Sequence, residues 1–177
     1  SGAYAGYEQC LTYRPPYEME FNCRLNMAQN AWASGDGGAQ EARRKLDRML
    51  KEEKNAEYKD QIYFALAMIA FKEGDRPEGI RNLELSLQQG GNNQAQKAEA
   101  YLTLADLYFE DEAYVAAKSY YDSTLAVITK NDERKPRVEK LANNLEDIAK
   151  NLSIIALQDS LLRISEMSIE EQEALAM

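Results

Sequence analysis

The chain has 177 residues, enough to bury a core without disulfide or metal staples, and its 45% apolar and 29% charged residues are ordinary for a soluble helical protein. A net charge of −9 disfavours nucleic acid, since no basic stripe exists to displace counterions from phosphates. The chain has no histidine, which excludes a Cys/His metal site, and no apolar run approaches the ~20 residues that span a bilayer.

Residues 1–16 carry Gly2, Gly6, Pro15 and Pro16 among Tyr4, Tyr7 and Tyr13. Glycine and paired prolines argue against a helix, so the expectation is an extended, Tyr-rich arm lying along the rest of the molecule or partly disordered. Cys10 and Cys23 leave two readings open, a disulfide formed in an oxidising compartment or two free thiols. Cys10 follows Tyr7-Glu8-Gln9, too polar and bulky for a lipid-attachment site. No initiator Met or leader precedes Ser1, so any targeting signal is expected outside the sequence.

A helix is expected from about Tyr17 to Ala33, ending at the turn Ser34-Gly35-Asp36-Gly37-Gly38, and a second from about Gln40 to Lys54. The glycine-rich turn has no following Lys-Ser/Thr, so a hairpin connection explains it better than a phosphate-cradling loop. Arg43-Arg44-Lys45, Arg48 and Lys51 interleave with Glu41, Asp47, Glu52 and Glu53. Glu41–Lys45 and Arg48–Glu52 are four apart, which reads as a salt-bridged helix face.

Helices are then expected at about Lys59–Glu73 and Arg76–Gln88, a link at Gly90-Gly91-Asn92-Asn93, and helices at about Ala95–Glu110 and Tyr114–Ile128. These segments repeat. Leu66, Ala67, Ala70, Gly79, Leu83 and Leu87, moved forward by 38 positions, land on Leu104, Ala105, Tyr108, Ala117, Tyr121 and Leu125. Met27, Ala28, Ala31 and Gly35 stand 39 before Leu66, Ala67, Ala70 and Gly74, marking a third, degenerate copy. A period of this size is the mark of a helical-hairpin solenoid.

This pattern resembles the tetratricopeptide repeat, with its large–Leu–small–aromatic first helix, Gly-Asp-like turn and small–aromatic–small second helix. The copies read Tyr63, Leu66, Ala67, Phe71, Gly74-Asp75, Gly79, Leu83, Ser86 and Tyr101, Leu104, Ala105, Tyr108, Tyr114, Ala117, Tyr121, Thr124. Ala70 and Gly79 depart from the pattern, so the first of these hairpins is expected to pack more loosely. The fold implied is all-α: a right-handed α-solenoid of about three hairpins over residues 17–133.

From Lys135 the spacing changes. Val138, Leu141, Leu145, Ile148, Leu152 and Ile155 form a narrow seam that breaks at Asp159 and resumes at Leu162. A capping helix or helix pair is expected over 134–166. Ser168 and Glu171 form a capping box, so a further, truncated helix is expected over 167–177, and the chain is expected to be part of a longer protein.

The resemblance implies a concave face built from the first helix of each hairpin. Its positions here are Asn22, Leu25, Gln29 and Trp32, then Gln61, Phe64, Met68 and Phe71, then Glu99, Leu102, Asp106 and Phe109. Leu25, Gln29, Trp32, Phe64, Met68, Phe71, Leu102, Asp106 and Phe109 are the candidate protein-binding residues, with Trp32, Phe71 and Phe109 as an aromatic row. A helix apolar nearly all round is covered by something. The alternatives are the N-terminal arm, the C-terminal helix, another protein, or contact of these residues with one another. The charged clamp for a terminal carboxylate is missing. Neither catalysis, a cofactor nor a bound metal is expected.

A more specific likeness rests on Ala42-Arg43-Arg44-Lys45-Leu46 with Asp47-Arg48-Met49-Leu50, Asp60-Gln61-Ile62-Tyr63, Ser119-Tyr120-Tyr121-Asp122-Ser123-Thr124-Leu125 and Gln158-Asp159-Ser160-Leu161-Leu162. In that order these runs resemble the SprE/PorW family of the type IX secretion and gliding-motility machinery. The likeness implies a repeat domain of an outer-membrane-anchored lipoprotein facing the periplasm. Its partners would be proteins of the secretion apparatus, held by a non-catalytic scaffold that does not itself touch the membrane. Rival readings are an accessory solenoid attached to a catalytic domain elsewhere, and a cytoplasmic peptide-binding adaptor.

Overall fold

A computed structural model describes residues 2–33, 38–89 and 93–168, and among these the chain is helical with no strand. The helices are α1 Gly2–Thr12, α2 Tyr17–Ala33, α3 Gly38–Lys51, α4 Lys59–Lys72, α5 Arg76–Gln89, α6 Gln94–Glu110, α7 Tyr114–Val127 and α8 Lys135–Glu166. A 3-10 helix, Glu53–Tyr58, joins α3 to α4. The fold class is all-α, and helices pack on their chain neighbours in succession, as in an α-solenoid. Contacts divide the chain into two compact units, residues 1–100 and 101–177, with the boundary inside α6.

In the first unit α2 pairs with α3 and α4 with α5, while α4 also touches α2 and α3. Ala42, Leu46 and Met49 fall four and three apart on α3 and are buried, which lays one stripe of that helix on the core. The core continues through Phe21, Leu25 and Ala28 of α2 and Ile62, Ala65 and Ile69 of α4. Each large apolar side chain buried there contributes about 1.5–3 kcal/mol. The 3-10 helix closes the end of this layer: Tyr58 stacks on Phe21 with centroids 4.4 Å apart, and Asn55 donates to the Met49 carbonyl at 2.8 Å. Tyr17 donates its hydroxyl to Asn55 Oδ1.

The 38-residue period is written in the backbone hydrogen bonds of the turns. After α4, Glu73 N donates to Ile69 O, Gly74 N to Phe71 O and Asp75 N to Ala70 O. After α6, Asp111 N donates to Leu107 O, Glu112 N to Phe109 O and Ala113 N to Tyr108 O. Gly74 and Glu112 hold the left-handed position of the two turns, at φ 81° and 57°. Glycine takes that conformation freely, whereas Glu112 takes it at a cost. Asp75 then caps α5 by accepting from Glu78 N at 3.0 Å.

Two expectations are corrected. Residues 2–12 are helical rather than extended: Pro15 and Pro16 stand after the helix, so they stop α1 and do not prevent it. Arg14 at φ 49° makes the turn between α1 and α2. The α4/α5 hairpin is also not loose at Gly79, because the Phe71 ring fills that space. A Cβ added at Gly79 would fall 2.2 Å from Phe71 Cε1. Of the predicted salt bridges on α3, Glu41–Lys45 forms at 2.7 Å, while Arg43 reaches Glu73 and Glu78 of the next hairpin. The turn at 34–37, the link at 90–92 and the helix start expected beyond residue 168 lie outside the described residues.

In the second unit, Leu102 and Ala105 of α6, Ala117 and Tyr121 of α7 and Val138, Ala142 and Leu145 of α8 share one core. Lys135–Glu166 is a single helix rather than a broken pair. Pro136 sits in its first turn, where no backbone donor is lost. Asp159 does not interrupt it, since an exposed carboxylate costs a helix little.

Candidate functional site

The residues expected to line a concave face have unequal surroundings. In the first unit, Leu25 is buried in the core, and Gln29, Phe64 and Met68 are half-buried. The Trp32 side chain lies outside the described residues. Phe71 is half-buried, its ring seated on Gly79 of α5. In the second unit, Phe109 sits edge-on to Tyr114 of α7 with centroids 6.0 Å apart and is 38% exposed. Both aromatic residues end the first helix of a hairpin, and both lean on the start of its second helix. Their rings serve hairpin closure.

Leu102 and Asp106 are spent on α8. Leu102 is buried in the core that α8 completes. Asp106 accepts the Tyr121 hydroxyl at 2.7 Å and two Arg137 N–H groups at 3.0 and 3.2 Å. Tyr121 is fully buried, so Asp106 satisfies a hydroxyl that would otherwise be stranded. Burial and the Asp106 carboxylate push the Tyr121 phenol well above its ordinary range, and bonding to Asp106 raises the Arg137 guanidinium. Lys118 of α7 adds a bridge to Glu146 of α8 at 2.7 Å.

These contacts hold only the first half of α8. Beyond Ala149 the helix runs for 17 further residues, about 25 Å, with no buried side chain. Leu157, Leu161 and Leu162 are 60%, 57% and 61% exposed, and Ile154 and Ile155 are exposed as well. At 100° per residue, Ile148, Leu152, Ile155 and Leu162 gather on one side of the helix. Ile154, Leu157 and Leu161 gather on roughly the other. A helix with two apolar sides needs two covering surfaces, and the expected terminal cap would supply only one. The signal was present in Ile154-Ile155, Leu157 and Leu161-Leu162, but a single seam absorbs only part of it.

Elsewhere the chemistry is structural. Asp60 is buried at the start of α4, and burial pushes its carboxyl above the usual range despite the nearby Asn93 amide. Ser86 donates to the Asp60 carbonyl at 2.7 Å, tying α5 to α4. Among the described residues no group of three or more Cys, Asp and Glu side chains could hold a metal ion, and no helix is long and apolar enough to cross a membrane. Comparison with family models and with curated proteins returns no match.

Proposed function

We propose that this chain is a non-catalytic protein–protein interaction scaffold that presents the second half of α8 to partner proteins. One observation carries this reading: Leu152–Leu162 is apolar on both sides and exposed, on a helix whose first half is fixed by a buried core and by the Asp106–Arg137 pair. The covering surfaces would be amphipathic helices of the partner, one for each apolar side, packed as α7 packs on the first half. We further propose that the partners belong to the type IX secretion apparatus in the periplasm, with anchoring to the outer membrane through a lipid outside this chain. The support for that assignment is the ordered series of family-like runs on α3, α4, α7 and α8.

The test is retention of partners from an envelope extract by the wild type and by Leu157→Glu plus Leu161→Glu. Both substituted positions are exposed, so the variant is expected to remain folded. Retention of secretion-apparatus proteins by the wild type and their loss by the variant supports both parts of the proposal. Equal retention by both moves the docking surface away from α8. Retention of unrelated proteins overturns the secretion assignment.

A further inference from the structure

α1 is fastened weakly by packing alone. From Ala3 to Thr12 every side chain is half-buried or exposed. Tyr4 lies under the Lys45 ammonium at 5.7 Å, while Tyr7 and Leu11 line shallow grooves against α2. Tyr7, Cys10 and Leu11 stand three and four apart, which places Cys10 on the stripe that faces α2. On α2, Cys23 is buried and lines the same groove as Tyr7. α1 and α2 pack on each other across the turn at Tyr13–Pro16, and Cys10 and Cys23 are equally far from Pro16–Tyr17 along the chain. Burial raises the Cys23 thiol, and Cys10 lies close enough to add a smaller rise.

Helix axes pack about 8–10 Å apart and the Cα cylinder has a radius of about 2.3 Å. Directly facing residues therefore bring their Cα atoms to about 3.4–5.4 Å, which overlaps the range of about 4.4–6.8 Å that a disulfide spans.

We propose that Cys10 and Cys23 are an intramolecular disulfide site that staples α1 to α2. The oxidant is a disulfide, either a small molecule such as glutathione disulfide or a dithiol–disulfide protein. Cys10, half-buried, is the sulfur such a reagent reaches first. Its thiolate attacks one sulfur of the oxidant, forming a mixed disulfide and expelling one thiolate. The Cys23 sulfur then gives up its proton and attacks Cys10 Sγ, forming the intramolecular bond and expelling the second thiol. Two protein thiols lose two electrons and two protons in all, and one oxidant disulfide becomes two thiols. Burial pushes the Cys23 thiol upward, which lowers its thiolate fraction, so the second step relies on proximity to Cys10 Sγ to offset that loss.

The staple closes a short loop around the α1–α2 turn and converts marginal docking into a fixed element. The experiment treats the full chain with glutathione disulfide, digests it at Glu18 and Glu20 with a glutamate-specific protease, and maps the linked peptides. Amide exchange of α1 is followed in parallel. The expected result is loss of both thiols together, a Cys10–Cys23 peptide link that reductant breaks, and exchange in α1 slowed at least about tenfold. Cys23→Ser should instead stop at glutathione bound to Cys10, with no slowing. Accumulation of the glutathione adduct on Cys10 in the wild type, disulfide-linked dimers, or a link that leaves α1 exchange unchanged would overturn the proposal.

Discussion

Val138, Ala142, Leu145 and Ala149 in the first half of α8 are buried, whereas Leu157, Leu161 and Leu162 in its second half are more than half exposed. The exposed stretch carries more large apolar residues than the buried one, so apolar content does not explain which half is buried. Shape does: the buried stretch alternates large side chains with alanine along one side, which lets α7 come close. The exposed stretch puts bulky residues on two sides, and no described residue of this chain buries them. A helix can therefore be anchored at one end, by a stripe that alternates large side chains with alanine and by the ion pairs of Arg137 and Glu146, and presented at the other.

The largest effect should come from emptying the anchored half. Leu145→Ala is expected to cost about 2–5 kcal/mol in denaturant unfolding, while Leu161→Ala changes stability by no more than about 0.5 kcal/mol. Similar losses at both positions would mean that the second half is buried too. Asp106→Ala should cost about 1–3 kcal/mol, because the Tyr121 hydroxyl is left buried without an acceptor and Arg137 loses its partner. Tyr121→Phe in the Asp106→Ala background should recover part of that loss, and failure to do so would remove the stranded hydroxyl as the cause.

A smaller effect is set by pH. Lys118 holds the Glu146 carboxyl below its ordinary range, so the pair stabilises the anchored half above the unfolded value of about 4.3. That contribution is lost as pH falls through and below that value. Amide exchange should therefore quicken across the α7–α8 contact on acidification in the wild type, and do so less in Glu146→Gln. Equal quickening in both would place the acid sensitivity elsewhere.

Much of this fold was legible from residue spacing. The 38-residue offset gave two hairpins, and the turn hydrogen bonds after α4 and α6 repeat it bond for bond. What escaped depends on context that periodicity does not carry. Gly2 and Gly6 lower helix propensity by about 1 kcal/mol each relative to Ala, yet α1 forms against α2. The 3-10 helix after α3 depends on Asn55 finding Tyr17 and the Met49 carbonyl, partners distant or irregular in sequence. For the candidate site, Phe71 and Phe109 were legible as a pair, but Gly79 and Tyr114 decide which way their rings turn.

The presented half of α8 is tested most directly by placing a photo-crosslinking amino acid at position 157 or 161 and irradiating living cells, with position 44 on the exposed side of α3 as the control. The account predicts discrete protein adducts at 157 and 161 and none at 44. Adducts absent from both α8 positions, or of equal yield at all three, would contradict it.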